Sequence, residues 1–287
     1  MSIGVISLLD QIPGRALIES VQNMESLGFE NYWLPEVLGR EVMSTVGILL
    51  ANTSQIAIGT GIANVYVRDE HATVAAQQTL CEMFGDRFLL GLGVSNVGIS
   101  EIRGYEWTSP VSKLNRYLDR MESIKPDMKQ PSELGPIHIA AHGPKLQKLA
   151  AARCNGVMTY LMSTAHTELS RSRIGPGAEL SVSNMMLLES DPERARATAR
   201  KAVSYYLTLD YYHREWRQLG FTDEDFTNGG SDALIDMLVA WGDKNALQAR
   251  VDEHLNAGAS RVLVMPLDIH RERGLVDSAT LRALAPG

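Results

Sequence analysis

Cysteine is scarce in this chain of 287 residues, which contains only Cys81 and Cys154. The two cysteines lie far apart in the sequence, so neither a disulfide framework nor a cysteine metal spacing is visible. The seven histidines show no HExxH or His-x-His ligand pattern. The sequence therefore predicts no metal site and no dependence on an oxidising compartment.

The chain also lacks a long apolar run, a leader-like start and a basic segment. No window approaches the ~20 apolar residues of a membrane span, and strand-like residues 3–7 follow the first residues directly. Acidic residues outnumber basic ones by 34 to 27, for a net charge of −7. These features predict a cytoplasmic protein with neither a membrane nor a nucleic acid as partner.

What is present is an alternation of strand and helix signals in a chain that is 45% hydrophobic. Apolar runs predict strands at residues 3–7, 31–34, 55–64, 87–96, 137–141, 156–160, 179–188 and 261–265. Most strands are separated from the next strand in the sequence by one amphipathic helix, a pattern typical of parallel sheets. Length alone allows one or two domains, and no linker or low-complexity segment separates a second one.

Residues 191–258 interrupt the alternation. This segment carries no strand signal and three helical ones, at about 192–209, 232–241 and 245–256. An aromatic cluster lies among them, formed by Tyr205, Tyr206, Tyr211, Tyr212 and Trp216. The cluster is expected to pack between helices or against a second subunit, and the functional alternative is one wall of a substrate pocket.

Alternating strands and helices fit either a closed barrel or an open doubly wound sheet. The open sheet would make residues 91–96 a dinucleotide-binding fingerprint. However, Asn96 stands where the third glycine is needed, and we expect no helix directly after it, because Gly104, Trp107 and Pro110 follow. We therefore predict one α/β domain over residues 1–287, a (β/α)8 TIM barrel with a helical insertion between strands seven and eight.

Active sites of such barrels lie at the carboxyl ends of the strands. In this sequence those ends are rich in glycine, small residues and neutral polar groups. A mouth of this composition suits a flat, largely apolar ring better than a metal or a highly charged sugar phosphate.

Three segments, at residues 59–64, 79–93 and 140–157, together resemble the luciferase-like monooxygenase family. The resemblance implies a (β/α)8 barrel that binds a flavin or its deaza-analogue, coenzyme F-420. The F-420 branch is indicated by Pro35-Glu36 followed by Gly39-Arg40, and by the loop at residues 141–145. The implied cofactor is F-420, with FMN as the alternative.

By this resemblance, Gly61-Ile62 is a non-proline cis peptide in a bulge that backs the cofactor ring. Four further ring contacts are expected near it, from Asn64, Gly93, Val94 and Ser95. Tyr160, at the end of a later strand, is a further expected cofactor contact. The plainer alternative is that Gly59 and Gly61 only turn the chain.

The residues Ala141, His142, Gly143, Pro144 and Lys145 end a strand and begin a helix. Small residues let the backbone approach a phosphate, and the helix amino terminus supplies free amides and a favourable dipole. We therefore expect the phosphate-bearing tail of the cofactor here. The alternative is a routine turn with an exposed Lys145.

Two titratable side chains are catalytic candidates, Glu36 and His142. Many members of the resembled family carry a histidine after the acidic residue, where this chain has Val37, and some carry a glutamate where it has Val94. The predicted activity is hydride transfer between F-420 and an organic small molecule, in a homodimer or higher homo-oligomer. Two alternatives stay open, an FMN-dependent monooxygenase and a non-catalytic ligand-binding barrel.

Overall fold

The computed structural model describes residues 2–268 and 277–286. All strand pairs in it are parallel, and eight of the strands close into a barrel in the order β1-β2-β3-β5-β6-β7-β8-β10, with β10 pairing back to β1. The strands are β1 Ser2–Ile6, β2 Asn31–Leu34, β3 Ala57–Thr60, β4 Ala63–Asn64, β5 Phe88–Gly93, β6 Ile137–Ala140, β7 Gly156–Tyr160, β8 Glu179–Leu188, β9 Val239–Gly242 and β10 Arg261–Pro266. The predicted (β/α)8 fold is confirmed.

Helices surround the barrel. They are α1 Gly14–Ser26, α2 Val42–Ala51, α3 Glu70–Phe84, α4 Val97–Ile102, α5 Pro110–Ser123, α6 Pro144–Arg153, α7 Thr164–Ile174, α8 Pro192–Val203, α9 Asp210–Gln218, α10 Asp232–Leu238, α11 Lys244–Asn256 and α12 Ser278–Leu284. Short 3-10 turns occupy Gly85–Arg87, Tyr206–Thr208 and Asp223–Phe226. The additional helices lie between β8 and β10, which is where the sequence predicted the insertion.

The insertion nevertheless contains a strand, so the prediction of no strand in residues 191–258 was wrong. Strand β9 pairs with the carboxyl half of β8, from Met185 opposite Val239 to Leu188 opposite Gly242. The partner strand β7 ends its pairing at Ser183, which leaves that edge of β8 free for β9. The predicted helix 232–241 accordingly ends at Leu238.

Two other helix predictions also need correction. Helix α4 begins at Val97, directly after the Gly91–Asn96 turn, although no helix was expected there. Asn96 itself begins it, because its Oδ1 accepts a hydrogen bond from the Ile99 N–H at 3.1 Å. The continuous helix predicted over about 192–209 ends at Val203, and α9 forms a separate helix. The barrel assignment does not depend on either.

The barrel interior is filled by an apolar group consisting of Ile6, Trp33, Leu89, Met158 and Leu263. Trp33 is fully buried because the facing strand carries glycine: a Cβ on Gly59 would lie 2.5 Å from Trp33 Cε3. The larger apolar core lies outside the strands, between them and the helices. This arrangement is the packed, pore-free centre of a barrel of this size.

A polar cluster closes the amino-terminal end of the barrel, opposite the predicted site. Glu179 Oε2 lies 2.9 Å from His138 Nε2 and 3.2 Å from Arg261 Nη2. The hydrogen bond from His138, opposed by burial, lowers the pKa of Glu179. The half-exposed Glu179 carboxylate thus links His138 and Arg261 at this end of the barrel.

Both thiols are shielded. Cys81 is buried and its Sγ accepts a hydrogen bond from the Gly135 N–H at 3.3 Å. Burial raises the pKa of Cys81, and it raises the pKa of Cys154 to about 11. Among the described helices, none is long and apolar enough to cross a membrane.

Candidate functional site

The bulge between β3 and β4 brings the predicted ring-backing residues together at the barrel mouth. The Gly61-Ile62 peptide bond is cis, as the resemblance implied. The Ile62 side chain lies over β5, since a Cβ on Gly93 would be 2.8 Å from Ile62 Cγ1 and 3.2 Å from the Ala140 Cβ. Three adjacent strand ends therefore meet around Ile62, with glycine at the closest approach.

Asn64 ends this bulge in a buried position. Its Oδ1 accepts a hydrogen bond from the Tyr66 N–H at 3.0 Å, whereas its Nδ2 has no partner among the described residues. A buried amide donor without an acceptor is costly unless a ligand or water supplies one. Asn64 thus contributes a buried amide donor without a partner at the end of the bulge.

After β5 and β7 the chain turns sharply. Ser95 has a φ of 60° and Leu161 a φ of 55°, both in the left-handed region that non-glycine residues seldom occupy. Val94 is buried beside Ser95. Such backbone conformations are concentrated at functional sites, and these two flank the mouth.

Glu36 is buried and tightly held. Arg68 donates to both of its carboxylate oxygens, at 2.7 and 2.6 Å, and the Asn64 N–H donates to Oε2 at 2.8 Å. Arg68 also donates to Glu41 at 2.8 Å. Burial alone would lower the pKa of Arg68, but the two carboxylates raise it above its usual value. This geometry fixes the segment after β2 to the end of β4.

Arg68 was not among the predicted site residues, although it decides the position of Glu36. It lies 32 residues further along the chain, so no local spacing connects the two. The only available signal was its place just after a strand end in a mouth otherwise short of charge.

The loop at residues 141–145 has the geometry of a helix start. Gly143 precedes α6 in an extended conformation, with no side chain capping the helix, and Pro144 occupies the first turn. Ala141 is buried and donates its N–H to Met158 O at 2.9 Å, whereas Pro144 and Lys145 are exposed. The loop therefore presents uncapped backbone amides at the barrel rim.

His142 is half-buried, and its ring packs against helix α9. Its ring centroid lies 5.3 Å from that of Tyr212 and 6.3 Å from that of Tyr211, and Nδ1 is enclosed without a partner. Burial lowers the pKa of His142 to about 3, with a smaller contribution from His166. The imidazole is therefore neutral at physiological pH.

Glu215 of α9 is an unforeseen neighbour of this loop. Its Oε1 lies 3.4 Å from the position that a Cβ on Gly143 would take. Burial raises the pKa of Glu215, against the opposing effect of Arg173 and Arg214. The predicted phosphate loop thus faces a carboxyl group as well as free amides.

The aromatic cluster of the insertion stands over β6 and β7. Tyr160 at the end of β7 donates its hydroxyl proton to Tyr206 Oη at 3.1 Å, and Trp216 Nε1 donates to Leu161 O at 3.1 Å. Tyr206 and Tyr212 pack edge to face, with centroids 5.7 Å apart. The cluster packs the inserted helices together and also contacts Tyr160 and His142, so it forms one wall of the mouth.

A sequence profile described as Luciferase-like monooxygenase matches residues 1–261 of the chain. The match covers most of the sequence, and the chain belongs to this family, which places it among oxidoreductases.

One relative is a 5,10-methylenetetrahydromethanopterin reductase of Methanolobus tindarius, 23% identical over 88% of this chain and 90% of the relative. The coenzyme F-420-dependent tetrahydromethanopterin reductase of Methanopyrus kandleri superposes with a TM-score of 0.74 at 17% identity, covering 99% of this chain and 97% of the other. An F-420-dependent secondary alcohol dehydrogenase, solved with an F-420-acetone adduct, gives 0.76 at 15% identity, over 92% of each chain. At these identities the two structures establish a shared fold.

Proposed function

We propose that this protein binds coenzyme F-420 and transfers a hydride between its deazaflavin ring and an organic small molecule. The observation that carries the proposal is the meeting of Ile62, Gly93 and the unpartnered Asn64 Nδ2 at one mouth, in a chain whose relatives include F-420-dependent reductases. When bound, F-420 would supply two-electron hydride chemistry without the oxygen reactivity of a flavin.

The described residues fit the ring of such a cofactor. Ile62 would provide an apolar surface for one face, and the glycines leave space for close approach. Asn64 Nδ2 would donate to a polar atom at the ring edge, which would satisfy the buried donor. Tyr160 and Tyr206 would close the opposite side.

The uncapped start of α6 fits the anionic tail. Because Pro144 has no N–H, the amides that follow it remain available, and the helix dipole favours negative charge there. Glu215 opposes this attraction when ionised, so its raised pKa, together with Arg173 nearby, reduces the conflict.

Two other functions remain as outcomes of the test. An FMN-dependent monooxygenase of the same fold would bind FMN at least as tightly as F-420. A non-catalytic barrel, suggested by Val37 in place of a histidine, would bind a cofactor without turning over any substrate.

The decisive experiment is equilibrium titration with F-420, FMN and NADPH side by side. We expect F-420 to bind most tightly. The substitution Gly143→Asp should weaken F-420 binding by at least about tenfold, ~1.4 kcal/mol, because it adds negative charge beside the tail. Lys145→Ala should cost less, below ~1 kcal/mol, since its charge is screened by solvent.

Gly177→Asp is the matched control, because Gly177 is exposed with no other atom within 4 Å of a Cβ placed there. It should bind F-420 like the parent. An FMN affinity equal to or above that for F-420 would contradict the cofactor assignment. If the Gly143→Asp variant binds F-420 as tightly as the parent and has the same melting temperature, the cofactor tail does not bind at this loop.

A further inference from the structure

Two tyrosine hydroxyls meet above the barrel mouth. Tyr160 Oη donates to Tyr206 Oη at 3.1 Å and also lies 3.4 Å from Met265 Sδ. Tyr160 lies two residues after Met158 on β7, so the two side chains share a face. Met158 faces the barrel interior, and Met265 packs against the same interior group. The pair therefore lies where the end of β7 meets the apolar cluster of the inserted helices, at one wall of the mouth.

In the hydrogen bond between the two tyrosines, Tyr160 is the donor, so the hydroxyl proton of Tyr206 is not used. A hydroxyl donates one proton, and Tyr160 donates its own to Tyr206 Oη. Among the described residues, Tyr160 Oη is the one oxygen within hydrogen-bond distance of the Tyr206 hydroxyl, and Tyr206 accepts in that contact. Burial, with a smaller contribution from Tyr205, raises the pKa of Tyr206, so the group stays protonated at neutral pH.

The two catalytic candidates from the sequence, His142 and Glu36, are poorly placed to deliver a proton. His142 is neutral at pH 7, because burial lowers its pKa to about 3. Glu36 has both oxygens held by Arg68. Val37, which follows Glu36, has an apolar side chain with no proton to donate.

We infer that the Tyr206 hydroxyl contacts the substrate and carries the proton in the interconversion of a carbonyl compound and its alcohol. A phenol is suited to this substrate class, since it donates to a carbonyl oxygen in the ground state and more strongly to the alkoxide that develops. The inference rests on the proposed function, because reduced F-420 is the hydride source.

The step balances as follows for reduction. Reduced F-420, when bound, would supply the hydride for the new C–H bond, and the carbonyl π electron pair would move to oxygen. The Tyr206 O–H bond breaks and its proton passes to that oxygen, giving the alcohol and the oxidised deazaflavin. The phenolate left on Tyr206 accepts the hydrogen bond from Tyr160 and regains a proton from water.

The contact can be tested without turnover by fluorine NMR of protein labelled with 3-fluorotyrosine. The nine tyrosines give separate signals, and Tyr206→Phe identifies the one from Tyr206. We expect cyclohexanone to shift this signal saturably, and methylenecyclohexane, which has the same shape but no oxygen, to leave it in place. No saturable shift, or an equal shift with both compounds, overturns the contact.

The proton role is tested by single-turnover reduction of cyclohexanone with reduced F-420. Tyr206→Phe should slow hydride transfer at least about 100-fold while F-420 affinity stays within about twofold of the parent. Tyr105→Phe is the matched control, because Tyr105 is exposed, stacks on Tyr66 and is not part of the Tyr160–Tyr206 pair. It should transfer hydride at the parental rate.

Parental hydride transfer by a folded Tyr206→Phe variant overturns the proton role and leaves the proposed function standing. The proposed substrate class is wrong if the parent protein binds F-420 but cyclohexanone neither shifts the Tyr206 signal nor is reduced. Absence of F-420 binding by the parent contradicts the proposed function instead. The NMR titration needs no coenzyme, so it separates these failures.

Discussion

Arg68 fixes one edge of the mouth through two buried carboxylates. Its side chain is 9% exposed and that of Glu36 is 2% exposed, so water screens the pair weakly. Because Glu36 Oε2 also accepts from the Asn64 N–H, the same pair positions the end of the ring-backing bulge. The catalytic role predicted for Glu36 remains a prediction, and a positioning role fits its contacts equally.

Replacing Arg68 with methionine should lower the free energy of unfolding by about 3–5 kcal/mol, because it leaves a buried carboxylate unpaired. Urea denaturation followed by circular dichroism measures the change. Arg120→Met is the matched control, since Arg120 pairs with Glu70 but is 64% exposed. That control should cost at most about 1 kcal/mol.

Equal losses of unfolding free energy in the two variants would show that the buried Glu36–Arg68 pair stabilises the protein no more than an exposed pair does. A second substitution, Glu36→Gln in the Arg68→Met background, should restore part of the lost stability. Restoration is expected because a neutral amide is less costly to bury than an unpaired carboxylate.

Strand β5 shows how an element positions the site through a missing side chain. A Cβ on Gly91 would lie 2.0 Å from Thr60 O, and the Thr60 hydroxyl both donates to Gly91 O and accepts from the Gly91 N–H, at 2.7 and 2.9 Å. The backbones of β3 and β5 approach closely here, directly before the bulge. No residue larger than glycine fits without moving β3.

Gly91→Ala should therefore destabilise the protein by about 1–3 kcal/mol or more through overpacking, and should weaken F-420 binding in the fraction that folds. Thermal melts and cofactor titration measure the two effects. Gly177→Ala should melt like the parent or slightly higher, because the added methyl meets no atom within 4 Å. A parental melt for Gly91→Ala would show that β3 shifts freely and that the bulge is not fixed by this contact.

Strands were predicted well wherever a buried apolar run had clear ends. Strands β2, β7 and β8 match the predicted residues 31–34, 156–160 and 179–188. Strand β9 was missed because its four residues directly follow a helix and continue its apolar pattern. Its partner edge on β8 exists only in the folded barrel, so no local signal reports it.

The site was predictable where a backbone feature carries it and less so where side chains converge. The glycines, the cis bond and the loop at 141–145 follow from local sequence and the family resemblance. Glu215 and Tyr206 reach the mouth from the insertion, whose packing depends on long-range contacts. Sequence reasoning recognised the aromatic cluster but could not choose between its two roles.

The whole molecule should be sensitive to acid because it buries neutral histidines. Burial lowers the pKa of His142 and His254 to about 3 and that of His166 to about 4. Their stabilising contribution is therefore complete above the unfolded value of 6.5 and is lost as the pH falls toward these folded values.

Below about pH 6 the unfolded chain binds up to three more protons than the folded one at these sites. The free energy of unfolding should fall by at most about 4 kcal/mol per pH unit from this source, since each proton contributes about 1.36 kcal/mol per unit. Urea unfolding measured from about pH 4.5 to about pH 7 gives this slope.

His254→Gln should reduce that slope by about one third, whereas His71→Gln, at an exposed position on α3, should leave it unchanged. A slope that is the same in both variants would mean that His254 protonates freely in the folded protein. The homodimer or higher homo-oligomer expected from the sequence stays a prediction. Because the stability of an oligomer depends on protein concentration, these experiments should be run at one fixed concentration.

The shielded thiols have a practical consequence for handling the protein. Because thiolate is the reactive form, the raised pKa values make Cys81 and Cys154 slow toward iodoacetamide and maleimides near neutral pH. The protein should keep its properties when purified in air without a reductant. A cysteine introduced on the exposed surface would then take up a fluorescent label almost alone, so the native chain already serves as the background for dye-labelling studies of the mouth.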